Sequence, residues 1–547
     1  MSHRAVPAPG LRGMRAWLLL LVVVCLMTGR CASGVEDKGT PGSPARALSK
    51  LTEMNAMYHS SAELSAYYAE RVAAVPSMMR IESVMEDVNE NNPDATRRAS
   101  PILGHKGKYP DPHCDKACQE TRTLSVIHLS EDVGKGKQDK TTVLLLFGEH
   151  AREDISDEVC LFLVQLFTGD VDAIDAHTGG AVWEEMVKFV YRMQRFGDLG
   201  MSDGKGKKRI ESVKPAFTGF SKDAGVPKNF HEEKYQVDDV EEVKQAMLDW
   251  AQALMARSYV LLVPNALRDG RVQVEDGEYC MRMTPELGDL NRDYSFHWKR
   301  DSDGSSMPRA FFAWPSRIVA QVALRESPSI FTNYHSGEFA FYFPWDFTQS
   351  RPDDLPDNFD EAVAHIHGVC DCNHGIASVM SGYAAYGAAI DYMYGVAKVP
   401  YTFTVEVFGP NERGRYGKPL HEDPSLFPRN LPGKEMCFWD FNPVSGVEYS
   451  DTLAMWAAAT MVLMRDVIEH EEKHPRSHAK NVPSMDSSAR LTGAGTTRSG
   501  QDAARSPYAS YGFVALLLAG FGVYAMAMSS SRGRKKGRLY NGREMTV

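Results

Sequence analysis

Short apolar runs and longer amphipathic segments alternate along the middle of this chain. Runs rich in leucine, β-branched and aromatic residues predict strands at 124–129, 141–147, 258–263 and 401–407. Apolar residues at helical spacing predict helices at 61–75, 156–168, 240–257, 359–370 and 451–470. Since strands that alternate with helices form mixed or parallel sheets, we expect an α/β fold with a mixed central β-sheet flanked by helices.

The beginning of the chain has the pattern of a secretory signal peptide. Arg4, Arg12 and Arg15 precede the apolar run 16–27, and small residues follow it, so we expect a cleaved signal at 1–34. The alternative is an uncleaved N-terminal anchor. The apolar run is short for that role, because a bilayer span takes about 20 residues.

A second apolar segment near the other end predicts a membrane span. Residues 511–528 are apolar and uncharged, and a basic cluster follows directly. This order is typical of a transmembrane helix with a cytoplasmic tail, here 529–547. The Ser/Thr/Arg/Gly-rich stretch 472–510 before it predicts a flexible stalk. We therefore expect a single-pass type I membrane protein whose large domain lies on the lumenal or extracellular side.

One large domain is expected at 50–471, with insertions at about 89–119 and 198–236. The first insertion is polar and rich in Pro and Cys, and the second is rich in Gly, Lys and Asp. Both are therefore expected to lie on the surface, and the second is a candidate for disorder. The net charge of -10 gives no indication of nucleic-acid binding, and no nucleic-acid partner is expected.

Nine cysteines bear on the compartment of this domain. Cys25 and Cys31 lie in or beside the predicted signal, which leaves an odd number for the large domain. Some of these should form disulfides in a lumenal compartment. Their spacing leaves the connectivity open.

Candidate chemistry begins just after the strand predicted at 141–147. His150 and Glu153 stand three apart in the turn that follows and can offer a nitrogen and an oxygen to one metal ion. Zinc in catalytic sites is often held by two histidines and a glutamate, with the fourth position left to water. His335 ends another apolar stretch and is the best third ligand. Standing alone, His335 would more often be a surface or packing residue.

Further charged groups follow in an order that suits peptide hydrolysis. Asp289 is a plausible acceptor for the second nitrogen of His150, since ligating histidines usually donate to a carboxylate. Arg292 beside Asn291 is suited to hold a carboxylate through paired hydrogen bonds. Arg282 is a candidate to stabilise an oxyanion. Taken singly, each of these residues is explained as well by a solvated loop.

Glu406 lies inside the apolar strand predicted at 401–407, where an unpartnered carboxylate is costly to bury. A salt bridge is one explanation. A general base beside a metal-bound water, with a pKa raised by burial, is the other. Tyr383 lies in a Gly/Ala-rich stretch that suits a mobile flap, although a packed tyrosine explains it equally well.

In this combination and order, the motifs resemble the zinc metallocarboxypeptidases with the carboxypeptidase A fold. The matching segments are His-Ala-Arg-Glu at 150–153, Asp-Leu-Asn-Arg at 289–292, Tyr-His-Ser-Gly at 334–337, the stretch 383–391 and Thr-Val-Glu at 404–406. The resemblance covers roughly 58–471. The gap between the first two motifs is longer than in the family, which the second insertion explains.

The resemblance implies a zinc-dependent exopeptidase that removes the C-terminal residue from peptides or proteins. One Zn²⁺ per chain would be held by His150, Glu153 and His335. Glu406 would act as the general base, and Arg282 would stabilise the oxyanion.

The resemblance also implies residues that bind the substrate. Asn291, Arg292 and Tyr383 would bind the free C-terminal carboxylate, and Arg152 would contact the residue upstream. Ile390 falls where the family's side-chain pocket is lined. An apolar residue at this position predicts a preference for apolar or aromatic C-terminal residues.

Two other readings of the same residues stay open. A zinc amidohydrolase acting on acylated amino acids would share the zinc ligands, but such relatives often lack equivalents of Tyr383 and of Asn291 with Arg292. A membrane-anchored, catalytically inactive peptide-binding protein would usually have lost a ligand or the base, and none is missing here. Deglutamylation of tubulin in the cytosol conflicts with the predicted signal and membrane span.

Overall fold

A computed structural model of the chain describes residues 57–86, 122–195 without 138, 213–215, 235–237, 240–300, 307–409, and 433–475 without 444. All of them fall within the first of two units, Met1–Ser477. The predicted signal, the membrane span, the tail, the insertion 89–119 and nearly all of the stalk lie outside the described residues. Within the described ranges, no helix is both long enough and apolar enough to cross a membrane.

Strands and helices alternate along the described residues. The strands are β1 (Met79–Met85), β2 (Thr123–Leu129), β3 (Thr141–Phe147), β4 (Val213–Pro215), β5 (Tyr235–Val237), β6 (Ser258–Val263), β7 (Ile330–His335), β8 (Ala340–Phe343), β9 (Asn373–Ile376) and β10 (Tyr401–Glu406). The α-helices are α1 (Ser61–Ala74), α2 (Asp154–Thr168), α3 (Val171–Thr178), α4 (Ala181–Arg195), α5 (Val240–Arg257), α6 (Arg268–Glu275), α7 (Trp314–Glu326), α8 (Phe359–Cys370), α9 (Ala377–Met380), α10 (Ala389–Gly395), α11 (Gly433–Phe441) and α12 (Gly446–Lys473).

Eight strands form one mixed sheet in the order β1-β2-β6-β3-β7-β10-β8-β9. The central strands β6, β3, β7 and β10 are parallel to their neighbours in that run. Antiparallel pairs join β1 to β2, β2 to β6 and β10 to β8. The predicted mixed α/β fold is therefore confirmed.

Both faces of this sheet are buried against helices. Along β3, Val143, Leu145 and Phe147 contribute to one apolar cluster, whereas Leu144 and Leu146 contribute to the other. The first cluster contains residues of α1 to α5, α8 and α12, and the second contains residues of α6, α7, α10 and α11. Helix cover on both sides explains why β3 and β6 are nearly continuous apolar runs, because a strand in such a sheet has no solvent face.

All predicted strands and helices are present, with small shifts at their ends. The largest shift is in the last helix, which begins at Gly446 instead of 451. Strands β1, β7, β8 and β9 and several helices were not predicted. β1 and β9 are the two edges of the sheet, and much of β1 is solvent-exposed, which weakens its apolar signal. The second insertion also contains structure: β4 and β5 pair as a separate antiparallel ribbon, which was not expected there.

Two disulfides confirm that some of the cysteines pair. Cys280 bonds to Cys437, and Cys370 bonds to Cys372. Cys160 is buried and is the free cysteine among the described residues. The first disulfide joins segments 157 residues apart, so it restricts the unfolded chain strongly.

Candidate active site

The carboxyl ends of three parallel neighbouring strands bring the candidate residues to one edge of the sheet. His335 is the last residue of β7, and Glu406 is the last residue of β10 and its register partner. His150 and Glu153 lie in the turn between β3 and α2. Gly148 begins this turn at φ +65°, and a Cβ there would lie 2.8 Å from Asp157 Oδ1. The turn therefore requires glycine at this position.

The side chains of His150, Glu153 and His335 converge on one point and are almost fully buried. His150 Nδ1 lies 2.8 Å from Glu153 Oε1, and His335 Nδ1 lies 3.0 Å from Glu153 Oε2. The two Nδ1 atoms are 3.0 Å apart. Two imidazole nitrogens and a carboxylate in this arrangement are a donor set that suits zinc.

The second nitrogen of each histidine faces a carboxylate. His150 Nε2 lies 3.2 Å from Asp289 Oδ1, as predicted, and His335 Nε2 lies 3.5 Å from Glu149 Oε2. Sequence analysis missed Glu149, which directly precedes His150 and is itself held by Asn333 and Tyr294. An Nε2–H that donates to a carboxylate leaves the Nδ1 lone pair free for a metal. Both rings are thus oriented as metal ligands.

The electrostatics of the site favour a cation. Burial alone would lower the pKa of His335, but hydrogen bonds to Glu149 and Glu153 outweigh it and raise the pKa to about 10. Burial would raise the pKa of Glu153, but the charges and hydrogen bonds of His150 and His335 lower it far below its usual value. A positive charge is therefore stabilised at this point, and a metal ion can displace the proton.

Glu406 has the properties of a proton acceptor. Its side chain is half-buried, and Oε2 is buried without a hydrogen-bond partner among the described residues. Burial is the main reason that its pKa is raised to about 8, and the charge of His335 opposes this rise. Glu153 and Glu338 add to the rise, whereas Arg282 opposes it. A carboxylate with a raised pKa takes up a proton more readily at neutral pH.

Three residues predicted to bind a carboxylate lie together. Arg292 Nη2 donates to the hydroxyl of Tyr383 at 3.0 Å, and Arg292 Nη1 donates to the carbonyl of Asn291 at 2.7 Å. Asn291 Oδ1 accepts from the N–H of Ala389, and Asn291 Nδ2 lies 3.5 Å from His335 Nε2. Tyr383 is 45% exposed, so this group reaches from the metal ligands to solvent.

Arg282 is held directly beside the metal ligands. Its Nε donates to Asp289 Oδ2 at 3.0 Å, and its Nη1 lies 3.8 Å from Glu153 Oε1. The carbonyl of Arg282 accepts from the N–H of Ala151 at 2.9 Å, which fixes this loop against the turn after β3. A guanidinium in this position can donate to an oxygen near the metal.

Arg152 is oriented by groups that sequence analysis did not identify. Its guanidinium lies 3.9 Å from the ring centre of Phe441, and its Nη1 donates to the carbonyl of Cys280 at 3.3 Å. The disulfide from Cys280 to Cys437 joins the same two segments. The aromatic residue and the cysteine are far from Arg152 in sequence, so no local signal could have identified them.

Ile390 is buried, with 1% of its surface exposed, and its place in a substrate pocket stays a prediction. The adjacent Asp391 accepts from the N–H groups of Asp346 and Phe347 at 2.8 and 3.0 Å. Sequence analysis missed Asp346, whose half-buried carboxyl group has a pKa raised to about 6 by burial, with the charge of Arg292 opposing the rise. An acidic side chain therefore lies close to the arginine of the predicted carboxylate site.

Comparison with known proteins agrees with this arrangement. Residues 235–422 match the family described as zinc carboxypeptidase, Peptidase_M14. The chain is 31% identical over 151 residues to carboxypeptidase B of Astacus astacus, a match that covers 25% of this chain and 48% of that protein. The chain thus spans about half the length of this curated relative.

The chain also has a lower similarity to solved structures. Bovine thrombin-activatable fibrinolysis inhibitor in complex with tick carboxypeptidase inhibitor has a TM-score of 0.42 and 17% identity, over 76% of this chain and 98% of that one. Carboxypeptidase A of Helicoverpa armigera has a TM-score of 0.40 and 14% identity, over 82% and 81% of the two chains.

Proposed function

Since this chain carries a zinc carboxypeptidase domain of the Peptidase_M14 family, we propose that it is an active metallocarboxypeptidase. In this proposal it removes the C-terminal residue from peptides or proteins. The observation that carries the proposal is the convergence of His150, Glu153 and His335 close to Glu406, whose buried Oε2 has no hydrogen-bond partner among the described residues. Ion pairing with Glu153 accounts for the two histidines, but it does not account for the carboxylate oxygen without a partner.

His150, Glu153 and His335 would hold one Zn²⁺, because their three donor atoms fit its preferred ligands. Zinc in such a site supplies a Lewis acid and makes water a stronger acid. Glu406 Oε2 accepts the proton of the attacking water as its oxygen bonds to the carbonyl carbon. When the C–N bond breaks, the same oxygen returns this proton to the leaving amine.

Arg282 supplies a positive charge that stabilises the negative charge developing on the carbonyl oxygen. Its guanidinium is oriented by Asp289, which leaves N–H groups directed towards the metal ligands. The donors are in place before negative charge develops, so no reorganisation is needed during the step.

Arg292 would hold the substrate's terminal carboxylate, with Asn291 and Tyr383 beside it. The exposed hydroxyl of Tyr383 already accepts from Arg292, so a carboxylate that enters from solvent can replace this contact. A free C-terminus is then required, because an internal peptide bond offers no charge to the guanidinium. The presence of Asn291, Arg292 and Tyr383 favours a peptide C-terminus over an acylated amino acid, because amidohydrolases related to this family often lack equivalents of these residues.

Ile390 and Asp346 support different preferences for the C-terminal side chain of the substrate. Ile390 supports a preference for apolar or aromatic C-terminal residues, as the sequence predicts. Asp346 supports a second candidate, a basic C-terminal residue. Burial raises the pKa of its half-buried carboxyl group to about 6, so the group still ionises at neutral pH and can pair with a lysine or arginine side chain.

The two disulfides support the proposal that the domain lies on the lumenal or extracellular side of a type I membrane protein. Such bonds persist in oxidising compartments. Membrane attachment through residues 511–528 belongs to the same proposal.

The test is hydrolysis of blocked dipeptides that end in Phe, Leu, Arg, Lys or Glu by the full-length chain, with and without 1,10-phenanthroline. Chelator-sensitive release of Phe or Leu would support the Ile390 preference, and release of Arg or Lys would support Asp346. An Asp346→Asn variant should then lose most activity on Arg and Lys substrates alone. If zinc-loaded protein released none of these residues, the amidohydrolase or the inactive peptide-binding protein would be the better reading.

A further inference from the structure

A second group of metal-binding side chains lies outside the catalytic centre. It consists of His59, which precedes α1, Glu158 on α2 and His177 on α3. Their donor atoms lie within 4.8 Å of one another. The donor groups are the same as in the candidate active site: two imidazoles and one carboxylate.

The distances within this group are compatible with one shared ion. Glu158 Oε2 lies 2.9 Å from His59 Nδ1 and 3.5 Å from His177 Nε2. The two rings are in edge contact, with 4.5 Å between their centres. The hydroxyl of Tyr449 lies 2.7 Å from Glu158 Oε2 and 2.6 Å from His177 Nε2, so a fourth oxygen is within reach.

The carboxylate is rigidly placed, and the group is open to solvent on one side. Glu158 is completely buried, and its Oε1 accepts from the backbone N–H of His59 at 2.7 Å, which directs Oε2 towards the imidazoles. His177 is 5% exposed, whereas the side chain of His59 is 31% exposed. An ion can therefore enter past His59 without opening the core.

Further acidic groups surround Glu158. Asp154, Asp157 and Glu275 lie with it around a single guanidinium, that of Arg271. Burial raises the pKa of Asp154 to about 7 and raises that of Asp157 well above its usual value, so these two carboxyl groups take up protons readily. The case for a cation therefore rests on the geometry of His59, Glu158 and His177.

We propose that His59, Glu158 and His177 form a second zinc site, with the hydroxyl of Tyr449 as a neighbouring oxygen. The ion fastens the segment before α1 to α2 and α3. Its role is structural, because each protein ligand comes from a different element and the group is separate from the catalytic ligands. The inference does not depend on the proposed function.

The test is a count of zinc per chain by mass spectrometry on the full-length protein, stripped with chelator, reloaded with zinc chloride and desalted. We expect two zinc ions in the wild type, one in His177→Gln, one in His335→Ala and none in the double variant. Glutamine offers a hydrogen-bonding nitrogen near the position of His177 Nε2, so the contact with Tyr449 is kept. His474→Gln, at an exposed histidine after α12, is the control and should keep both ions.

A second variant tests whether the loss of zinc could result from misfolding. His59→Asn changes a half-exposed residue and should also lose one zinc, with an unchanged circular dichroism spectrum. Added zinc should raise the melting temperature of His335→Ala but not that of the double variant.

A wild-type chain with one zinc, or a His177→Gln chain that keeps two, would overturn the second site. If the single zinc of the wild type were lost in His335→Ala, the proposed function would stand without the second site. If His177→Gln lost an ion but His335→Ala lost none, the second site would stand and the assignment of the catalytic ligands would fail.

Discussion

His335 and Glu406 are the residues on which the chemistry of the site depends most directly. They end neighbouring parallel strands in register. His335 is a candidate metal ligand whose Nδ1 lies 3.0 Å from Glu153, and Glu406 is the proposed base, whose buried Oε2 has no hydrogen-bond partner among the described residues. Substitution of His335 is therefore expected to reduce zinc binding, and substitution of Glu406 is expected to reduce kcat.

Glu406→Gln should reduce kcat by about 10²–10⁴-fold, the contribution typical of a positioned general base, without loss of zinc. The amide has the same shape but cannot accept the proton. The measurement is kcat on the best dipeptide together with the zinc content. Glu338→Gln, at a nearby exposed carboxylate, is the matched control and should keep kcat within about tenfold. Loss of zinc in Glu406→Gln would show that the base is misassigned.

The dependence of activity on pH should follow the ionisation of Glu406. Only the carboxylate accepts a proton, so kcat/KM should fall as the pH drops through its pKa, which is raised to about 8 by burial. Zinc adds positive charge nearby and moves this acidic limb of the kcat/KM profile to lower pH. Glu338→Gln removes a negative neighbour and should move the limb lower still. An unchanged limb in that variant would contradict the assignment.

At the scale of elements, the turn between β3 and α2 carries two of the proposed ligands, His150 and Glu153, and determines their positions. It starts from Gly148, whose φ of +65° is disfavoured for other residues. A Cβ at this position would also lie 3.0 Å from the backbone of Asn265, which follows β6. The turn is therefore fixed both by its own conformation and by the neighbouring strand.

Gly148→Ala should destabilise the fold and weaken zinc binding, because the added carbon contacts Asp157 and the backbone of Asn265. Gly169→Ala is the matched control: its φ is +69°, but no atom of the described residues lies within 4 Å of the added carbon. Both variants carry the conformational strain of about 1–3 kcal/mol, so the difference between them isolates the contact. The measurement is the melting temperature and the zinc content, and equal values for the two would refute this account.

At the scale of the whole molecule, the two disulfides agree with the topology that the predicted signal and membrane span imply. In this topology the described domain lies on the lumenal or extracellular side and the tail lies in the cytosol. The described domain should be protected from added protease in sealed microsomes, and the tail 529–547 should be accessible. The membrane fraction should resist extraction with alkaline carbonate, and a chain that ends at residue 475 should be released. A domain cleaved in sealed microsomes would place it in the cytosol and contradict the proposed topology.

Much of the fold and of the site could be predicted from sequence because the signals are local. Strands β3 and β6 are nearly continuous apolar runs, since both faces of the sheet are buried, and the amphipathic helices have helical spacing. The edge strands β1 and β9 were missed, because an exposed edge lacks that pattern. Glu149 and Asp346 were missed, because only their contacts with residues far along the chain distinguish them from surface acids.

The sequence by itself determined which chemical groups are available and that His150, Glu153 and Glu406 lie near the end of a predicted strand or in the turn after it. The tertiary structure decided that these groups meet. The sheet order β3-β7-β10 brings His150 and Glu153 to His335 and Glu406 across more than 180 residues of chain. It also decided the cysteine pairs and the second histidine cluster. Such contacts depend on the order and direction of strands, which cooperative burial of both sheet faces selects and no local pattern encodes.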